Sequence, residues 1–126
     1  MPLPVNAQVH AAQSFVISVR SAYEFLQQQD ASRAEERYQE LLAQLGKARE
    51  RLGWNPALGR PARLLNLKSA QGKALAPRAK VQAESLGVPE LREIILKPYV
   101  LLYAHGENQV FLLSLRHERQ LLVDVG

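Results

Sequence analysis

The apolar residues of this chain follow a helical spacing in the first half and a strand-like pattern in the second. Ala22, Phe25 and Leu26 stand three and four positions apart, which predicts a short helix with one apolar face. Apolar residues keep the same spacing from position 38 to position 52, which predicts a second, longer helix. Because few residues separate them, the two helices are predicted to form a helical hairpin.

Local patterns also predict the ends of the longer helix and the segment before the hairpin. Ser32 followed by Glu35 fits a capping box, in which the two side chains satisfy free backbone N–H groups at the start of a helix. Gly53 is a natural stop at the other end. Before the hairpin, apolar residues alternate across 13–20 ("QSFVISVR"), which predicts the first strand.

Three further strands are predicted after residue 90. The runs "LREIIL" (91–96), "YVLLYA" (99–104) and "QVFLLSL" (109–115) are separated by two short breaks. His105 lies in the second break and is predicted to be an exposed turn residue. The predicted fold is therefore α+β, a two-layer sandwich in the order β-α-α-β-β-β, in which a helical hairpin covers a small, mainly antiparallel sheet.

Length and composition indicate one domain over residues 1–126, since the chain is 47% hydrophobic and 22% charged. Residues 1–12 are predicted to be an N-terminal arm. Residues 64–90 show weak periodicity and no clear strand, and they are predicted to be a loop insertion with at most a short helix. Trp54, the single tryptophan, is predicted to anchor the end of the long helix on the core, with a base-stacking platform as the alternative.

Basic side chains are concentrated in the middle of a chain whose net charge is +4 at pH 7. Residues 47–80 carry nine basic side chains against the single acidic Glu50, whereas the segments before and after are each net negative. The nine are Lys47, Arg49, Arg51, Arg60, Arg63, Lys68, Lys73, Arg78 and Lys80. Such an excess either attracts nucleic acid or an acidic protein partner, or only keeps a surface solvated.

Several chemistries have no motif in this sequence. There is no cysteine, which excludes disulfides and thiolate ligands and favours a reducing cytoplasm. No apolar run approaches the ~20 residues that span a bilayer, and the first residues do not resemble a signal peptide. A glycine-rich phosphate loop and a hydrolase motif are missing, and the three histidines are far apart. We therefore expect a cytoplasmic protein with no metal, no cofactor and no membrane partner.

The candidate chemistry lies at the end of the last predicted strand, where Arg116, His117 and Arg119 stand close together. Arg92, near the start of the first C-terminal strand, is predicted to approach them across the sheet. Arginines hold phosphate oxygens in bidentate pairs, and a histidine exchanges protons near neutral pH. These four residues are the predicted binding surface, and His117, Arg92 and Arg119 would be catalytic in a metal-free ribonuclease. The alternative is structural, with Arg92 paired to a nearby glutamate.

Three motifs of the C-terminal half occur in a recognisable order. They are "LRE" at the start of a strand (91–93), the strand "YVLLY" (99–103), and "VFLLSLRHER" (110–119), which ends in R-H-x-R. Together they resemble the RelE/ParE superfamily of toxins from bacterial toxin–antitoxin pairs. The segments "FVISVRSAYEFL" and "LGWNPALGRPAR" are similar to the family's first strand, first helix and following loop. The R-H-x-R ending is closer to the ParE branch.

This resemblance implies the toxin of a type II, plasmid-stabilisation system, which inhibits DNA gyrase and arrests growth. A cognate antitoxin would neutralise it, and the two can assemble into a larger complex. The RelE branch instead cleaves messenger RNA on the ribosome, but here no tyrosine follows His117 and no catalytic lysine can be placed. Enzymatic activity is therefore not favoured, although a metal-independent endoribonuclease remains the alternative. A further alternative is a non-toxic family member that only binds a partner.

Overall fold

The computed structural model describes residues 6–62 and 70–118. In this part of the chain, three helices and five strands follow one another. They are β1 (Gln8–Ala11), α1 (Gln13–Gln29), α2 (Ala31–Trp54), β2 (Arg60–Pro61), α3 (Ala70–Ser85), β3 (Glu90–Leu96), β4 (Tyr99–His105) and β5 (Gln109–His117). The α+β class is confirmed, and so are the three predicted C-terminal strands, to within two residues at each end.

The five strands form one sheet in the order β1-β5-β4-β3-β2. Strand β1 pairs with β5 in parallel, and the other neighbours are antiparallel. The register of β4 and β5 shifts between Leu102 and Tyr103, where β5 carries an irregularity. As a result Leu112 and Leu115 pack on one face of the sheet, while Leu113 packs on the other.

Helices α1 and α2 form the predicted hairpin and cover one face of the sheet. Leu41, Leu45 and Leu52 recur along α2 at helical spacing and pack against Leu101 and Tyr103 of β4 in one apolar cluster. Both of these β4 side chains are fully buried. The prediction that a helical hairpin packs on the sheet is confirmed.

Helix α3 packs on the opposite face, so the prediction of a loop insertion over residues 64–90 is wrong for most of that segment. Ala79 and Ala83 are four residues apart and contact Leu102 and Leu113 in a second apolar cluster. The apolar periodicity was weak because the side chains that face the sheet are alanines. Alanine is nevertheless the strongest helix former, so this composition favours a helix. Residues 63–69 lie outside the described part of the chain.

The first strand lies earlier in the chain than predicted. Residues 13–20 belong to α1, and the strand is β1, which lies inside the predicted N-terminal arm. The buried positions of α1 are Phe15, Ser18 and Leu26, which follow helical spacing. One of these inward-facing residues is a serine, so the helical period is not visible in the apolar residues alone. The nearby apolar residues instead alternate as they would in a strand.

Helix α2 begins at Ala31, and its N-terminal cap is Asp30. The Asp30 carboxylate accepts hydrogen bonds from the backbone N–H of Ser32 at 3.1 Å and from its hydroxyl at 2.6 Å. These bonds lower the pKa of Asp30. The predicted capping box is therefore wrong, because Glu35 instead accepts a hydrogen bond from the Tyr23 hydroxyl across the hairpin. The helix ends at Trp54, one residue after the predicted stop.

Two serines of α1 cover the edge of β5 beyond the point where β1 ends. The Ser14 hydroxyl donates to the carbonyl of Leu113 at 2.6 Å, and the backbone N–H of Leu115 donates to the Ser18 hydroxyl at 2.8 Å. The same hydroxyl donates to the carbonyl of Phe15. Strand β5 is therefore closed along this edge, first by a strand and then by side chains of a helix, which blocks the addition of another strand there.

Replacing Ser18 by alanine should lower the free energy of unfolding by about 1–3 kcal/mol, because the buried N–H of Leu115 loses its acceptor. Urea unfolding of the purified variant measures this change. Ser21→Ala is the matched control, since this exposed hydroxyl of the same helix donates only to the carbonyl of Ile17. We expect the control to change stability by less than about 0.5 kcal/mol. Equal effects of the two substitutions would contradict a sealing role for Ser18.

Candidate functional site

Arg92 and His117, two members of the predicted site, lie toward opposite ends of the sheet. Arg92 pairs with Tyr103, whereas His117 pairs with Tyr99. In a three-stranded meander the first and third strands both run antiparallel to the middle one. Strands β3 and β5 therefore begin at the same end of the sheet. Their partners Tyr103 and Tyr99 are four positions apart on β4, which is about 13 Å along the strand. The predicted approach of Arg92 to the end of β5 is therefore wrong.

Arg116 and His117 project from opposite faces of β5. His117 lies on the face of the helical hairpin, where its ring contacts those of Phe25 and Tyr99. Arg116 pairs with Val100 on the other face, and its Nε is buried without a hydrogen-bond partner among the described residues. Arg119 lies outside the described residues. The three described members of the predicted cluster therefore form no common site.

Arg92 serves the structure. Its Nε donates to Nε2 of His105 at 3.0 Å, and its Nη1 donates to the carbonyl of Gly59 at 2.9 Å. His105 is thus a buried residue of β4 and not the predicted exposed turn residue. Because Nε2 of His105 accepts this bond, its ring proton is assigned to Nδ1, which lies 3.0 Å from the carbonyl of Gly106. The predicted pairing of Arg92 with a glutamate is also wrong, since Glu93 pairs with Arg60.

The same network fastens the loop that follows α2 to the edge of the sheet. The Tyr103 hydroxyl donates to the carbonyl of Pro56 at 2.7 Å and accepts the backbone N–H of Gly59 at 2.8 Å. Burial raises the pKa of the Tyr103 phenol. Arg60 then pairs with the buried Glu93 at 2.9 Å. Although the loop is held firmly, Trp54 is 61% exposed, so its predicted role as a core anchor is wrong.

His117 lies in a cleft of about 280 Å³ between the hairpin and the turn that joins β3 to β4. Arg37 and Lys97 bring two positive charges to this cleft, and Glu40 brings a negative one. Burial raises the pKa of Tyr99, while the charge of Arg37 opposes this shift. The lining residues are Phe25, Leu26, Gln29, Arg37, Glu40, Leu41, Gln44, Lys97, Pro98, Tyr99 and His117.

This cleft combines an imidazole, a phenol and two cations, a set that can bind an anionic group and exchange protons with it. Sequence patterns identified His117 but not Arg37 or Lys97. Arg37 lies on the polar side of a helix, where no pattern distinguishes it from other charged residues. Lys97 could have been found, because the turn between two adjacent strands must lie beside the end of the next strand in a meander.

A second concavity, an apolar groove of about 450 Å³, lies between the two hairpin helices and strand β1. Val16 is 47% exposed and Leu42 is 37% exposed on its walls, and Arg20 and Arg49 also line it. The full lining is His10, Ala11, Phe15, Val16, Val19, Arg20, Tyr23, Tyr38, Leu42, Leu45, Gly46, Arg49 and Leu112. An exposed apolar surface with a basic border is typical of a protein-binding site.

The described residues contain neither a metal-binding cluster nor a membrane-spanning helix. Across 6–62 and 70–118, no three histidine, aspartate or glutamate side chains converge in a way that could hold a metal ion. In the same residues, no helix has both the length and the apolar character that crossing a membrane requires. The two concavities are therefore the features from which we infer a function.

Gly59→Ala should lower the free energy of unfolding by about 1–3 kcal/mol through overpacking. A Cβ at this position would lie 2.5 Å from the carbonyl oxygen of Glu93 and 2.9 Å from the Tyr103 ring. The loop or the sheet edge would have to shift. The change is measured by thermal and urea unfolding.

Gly46→Ala is the matched control, because a Cβ at this helical position meets nothing within 4 Å. This substitution should stabilise the protein by about 0.5–1 kcal/mol, since alanine loses less conformational entropy in a helix. If both substitutions stabilise the protein, the close packing of the loop on the sheet edge is wrong.

Comparison with known proteins adds no relative to these observations. The sequence matches no protein-family model, and no curated protein matches it significantly. The function is therefore inferred from the chain's own residues and fold.

Proposed function

We propose that this protein is the toxin of a type II toxin–antitoxin pair, that it inhibits DNA gyrase by binding, and that a cognate antitoxin neutralises it in the cytoplasm. The observation that carries this proposal is the apolar groove of the helical hairpin, with Val16 and Leu42 exposed and Arg20 and Arg49 beside them. The sequence motif R-H-x-R at 116–119 supports the same choice by resemblance to the ParE branch.

The antitoxin would occupy this groove with an apolar segment that also carries acidic residues. A helix fits this groove, because the two hairpin helices form most of its lining and an amphipathic helix can lay its apolar face into such a groove. Acidic side chains of the antitoxin would lie opposite Arg20 and Arg49, which strengthens association and guides the encounter. A segment of this kind can be disordered before it binds.

The separation of the arginines favours binding over RNA cleavage. A metal-free ribonuclease needs a base, an acid and a cation around one phosphate. Arg92 is committed to His105 and Gly59, and Arg116 faces away from His117. Of the arginines that the sequence suggested for phosphate chemistry, the two described ones are therefore not assembled around His117.

The cleft of His117 nevertheless supports a second candidate, a metal-independent endoribonuclease. In that case His117 would exchange protons, and Arg37 and Lys97 would stabilise charge on the phosphate, in place of Arg92 and Arg119. The ribosome and its messenger RNA would then be the partner. The third candidate is a non-toxic protein of the same superfamily that only binds a partner.

Induced expression in bacterial cells should arrest growth and leave plasmid DNA relaxed or broken, with transcripts intact. The physical reason is that a blocked gyrase no longer supercoils DNA, whereas RNA is untouched. Plasmid topoisomers on agarose and transcript integrity on the same samples measure the two effects. Arrest with cleaved transcripts would reject gyrase as the target, and normal growth would favour the non-toxic alternative.

A substitution in the groove tests the antitoxin part of this proposal. Val16→Asp places a negative charge in the apolar groove, so co-expression of a small protein encoded beside the gene should rescue growth with the native chain but not with the variant. Ile17→Asp is the control, because Ile17 is exposed on the same helix but does not line the groove. Equal rescue of both variants would place the antitoxin elsewhere.

His117→Gln separates the two candidate mechanisms. A ribonuclease that uses His117 for proton transfer should lose roughly 10²–10⁴-fold in cleavage rate. A gyrase-binding protein should keep most of its inhibition, because a single half-buried side chain contributes only part of a binding energy. Cleavage of a transcript bound to purified ribosomes and supercoiling by purified gyrase are measured with the same preparation. A loss of more than 100-fold in supercoiling inhibition would contradict a peripheral role for His117.

A further inference from the structure

The end of α2 and the loop that follows it expose two large apolar side chains. Trp54 is 61% exposed and Leu58 is 45% exposed. A single tight turn separates them, in which the Leu58 N–H donates a hydrogen bond to the carbonyl of Asn55 at 3.0 Å. We call residues 54–59 the tip. Tryptophan is one of the residues most enriched at interface hot spots.

The tip is rigid although its apolar side chains face solvent. Tyr103 binds its backbone at Pro56 and at Gly59, and Arg92 binds the Gly59 carbonyl. Gly59 packs so closely on the sheet that a Cβ would collide with the Glu93 carbonyl oxygen. A loop that is already fixed in one conformation pays little entropy when it binds, so its contacts contribute more fully to affinity.

The surface that borders the tip is basic. Lys47, Arg49 and Arg51 are exposed on the last two turns of α2, against the single acid Glu50. Arg49 and Trp54 line the same shallow depression, which runs between the end of α2 and residues 6–9. The tip therefore fits a partner whose surface has an apolar recess and acidic residues around it.

We propose that this protein binds gyrase through the tip, and that the antitoxin binds in the apolar groove of the hairpin. This assignment rests on the proposed function, and it deepens it by naming the residues that contact the target. Trp54 would enter an apolar recess of gyrase, Leu58 would pack beside it, and the arginines of α2 would face acidic residues.

The tip and the groove are separate surfaces. No residue of 54–59 lines the groove, whereas Arg49 lies between the two and lines both the groove and the depression beside Trp54. Substitutions in the tip are therefore expected to weaken inhibition of gyrase while antitoxin binding persists. A nucleic acid is the competing occupant, because a base could stack on Trp54 beside the arginines. The exposed aliphatic Leu58 favours a protein, since it offers no stacking face.

The test uses purified gyrase, relaxed plasmid DNA and the full chain. The concentration for half-inhibition of supercoiling should rise roughly 30-fold or more for Trp54→Ala, the loss expected for a central tryptophan of an interface. Leu58→Ser should give a smaller rise. Val81→Ser is the matched control, because Val81 is equally exposed, at 66%, but lies on α3. Thermal unfolding verifies that the variants are folded.

The single tryptophan allows a second measurement, in which a single-stranded oligonucleotide is added and the fluorescence of Trp54 is recorded. Loss of inhibition by Trp54→Ala, with the control unchanged and no quenching by the oligonucleotide, is the result we expect. If the native chain inhibits gyrase and Trp54→Ala inhibits equally, the tip assignment is overturned while the proposed function stands. If the native chain does not inhibit gyrase, both are overturned. Strong quenching would overturn the tip assignment in favour of base stacking.

Discussion

Strand β4 is buried over all seven of its residues, and this constraint organises the molecule. A strand buried on both faces must be covered by two layers, which the helical hairpin and α3 supply from opposite sides. Its backbone must also be paired on both edges, which β3 and β5 achieve. The other elements are arranged around the shielding of this one strand from water.

The same burial explains the tip. Tyr103 and His105 carry polar atoms into the core, and a buried polar group needs a partner. Tyr103 finds Pro56 and Gly59, and His105 finds Arg92, which in turn binds Gly59. Three polar side chains of the sheet therefore hold one loop in place, and the loop holds Trp54 and Leu58 in solvent. The tip is therefore rigid because its backbone supplies the hydrogen-bond partners that polar side chains of the core need.

The distribution of charge gives the molecule two kinds of surface. On the hairpin and at the tip, arginines border exposed apolar residues, an arrangement suited to protein partners with acidic character. At the end of β5, His117, Tyr99, Arg37 and Lys97 form a more polar cleft suited to a small anionic group. The proposed binding of gyrase would use the first kind of surface and ribonuclease activity would use the second, so the two candidate functions would depend on different residues.

Elements with a strong local pattern could be predicted from the sequence alone. The helical spacing of α2 and the apolar runs of β3, β4 and β5 were sufficient, because burial selects residues at fixed intervals along a helix or strand. The relative direction of the strands could also be inferred from the sequence, because β3 and β5 of a meander begin at the same end of the sheet. The predicted approach of Arg92 to the end of β5 contradicted this topology. Where small or polar residues face the core, as with Ser18 in α1 and Ala79 in α3, the local signal failed.

Which distant residues meet depends on how the elements pack. Arg37 joins His117 because α2 crosses the end of the sheet, and Gly59 meets Tyr103 because the loop closes over the sheet edge. The exposure of Trp54 was decided in the same way, since the loop is held by its backbone and not by its aromatic side chain. These two contacts join residues that are 80 and 44 positions apart in sequence, and no local spacing encodes them.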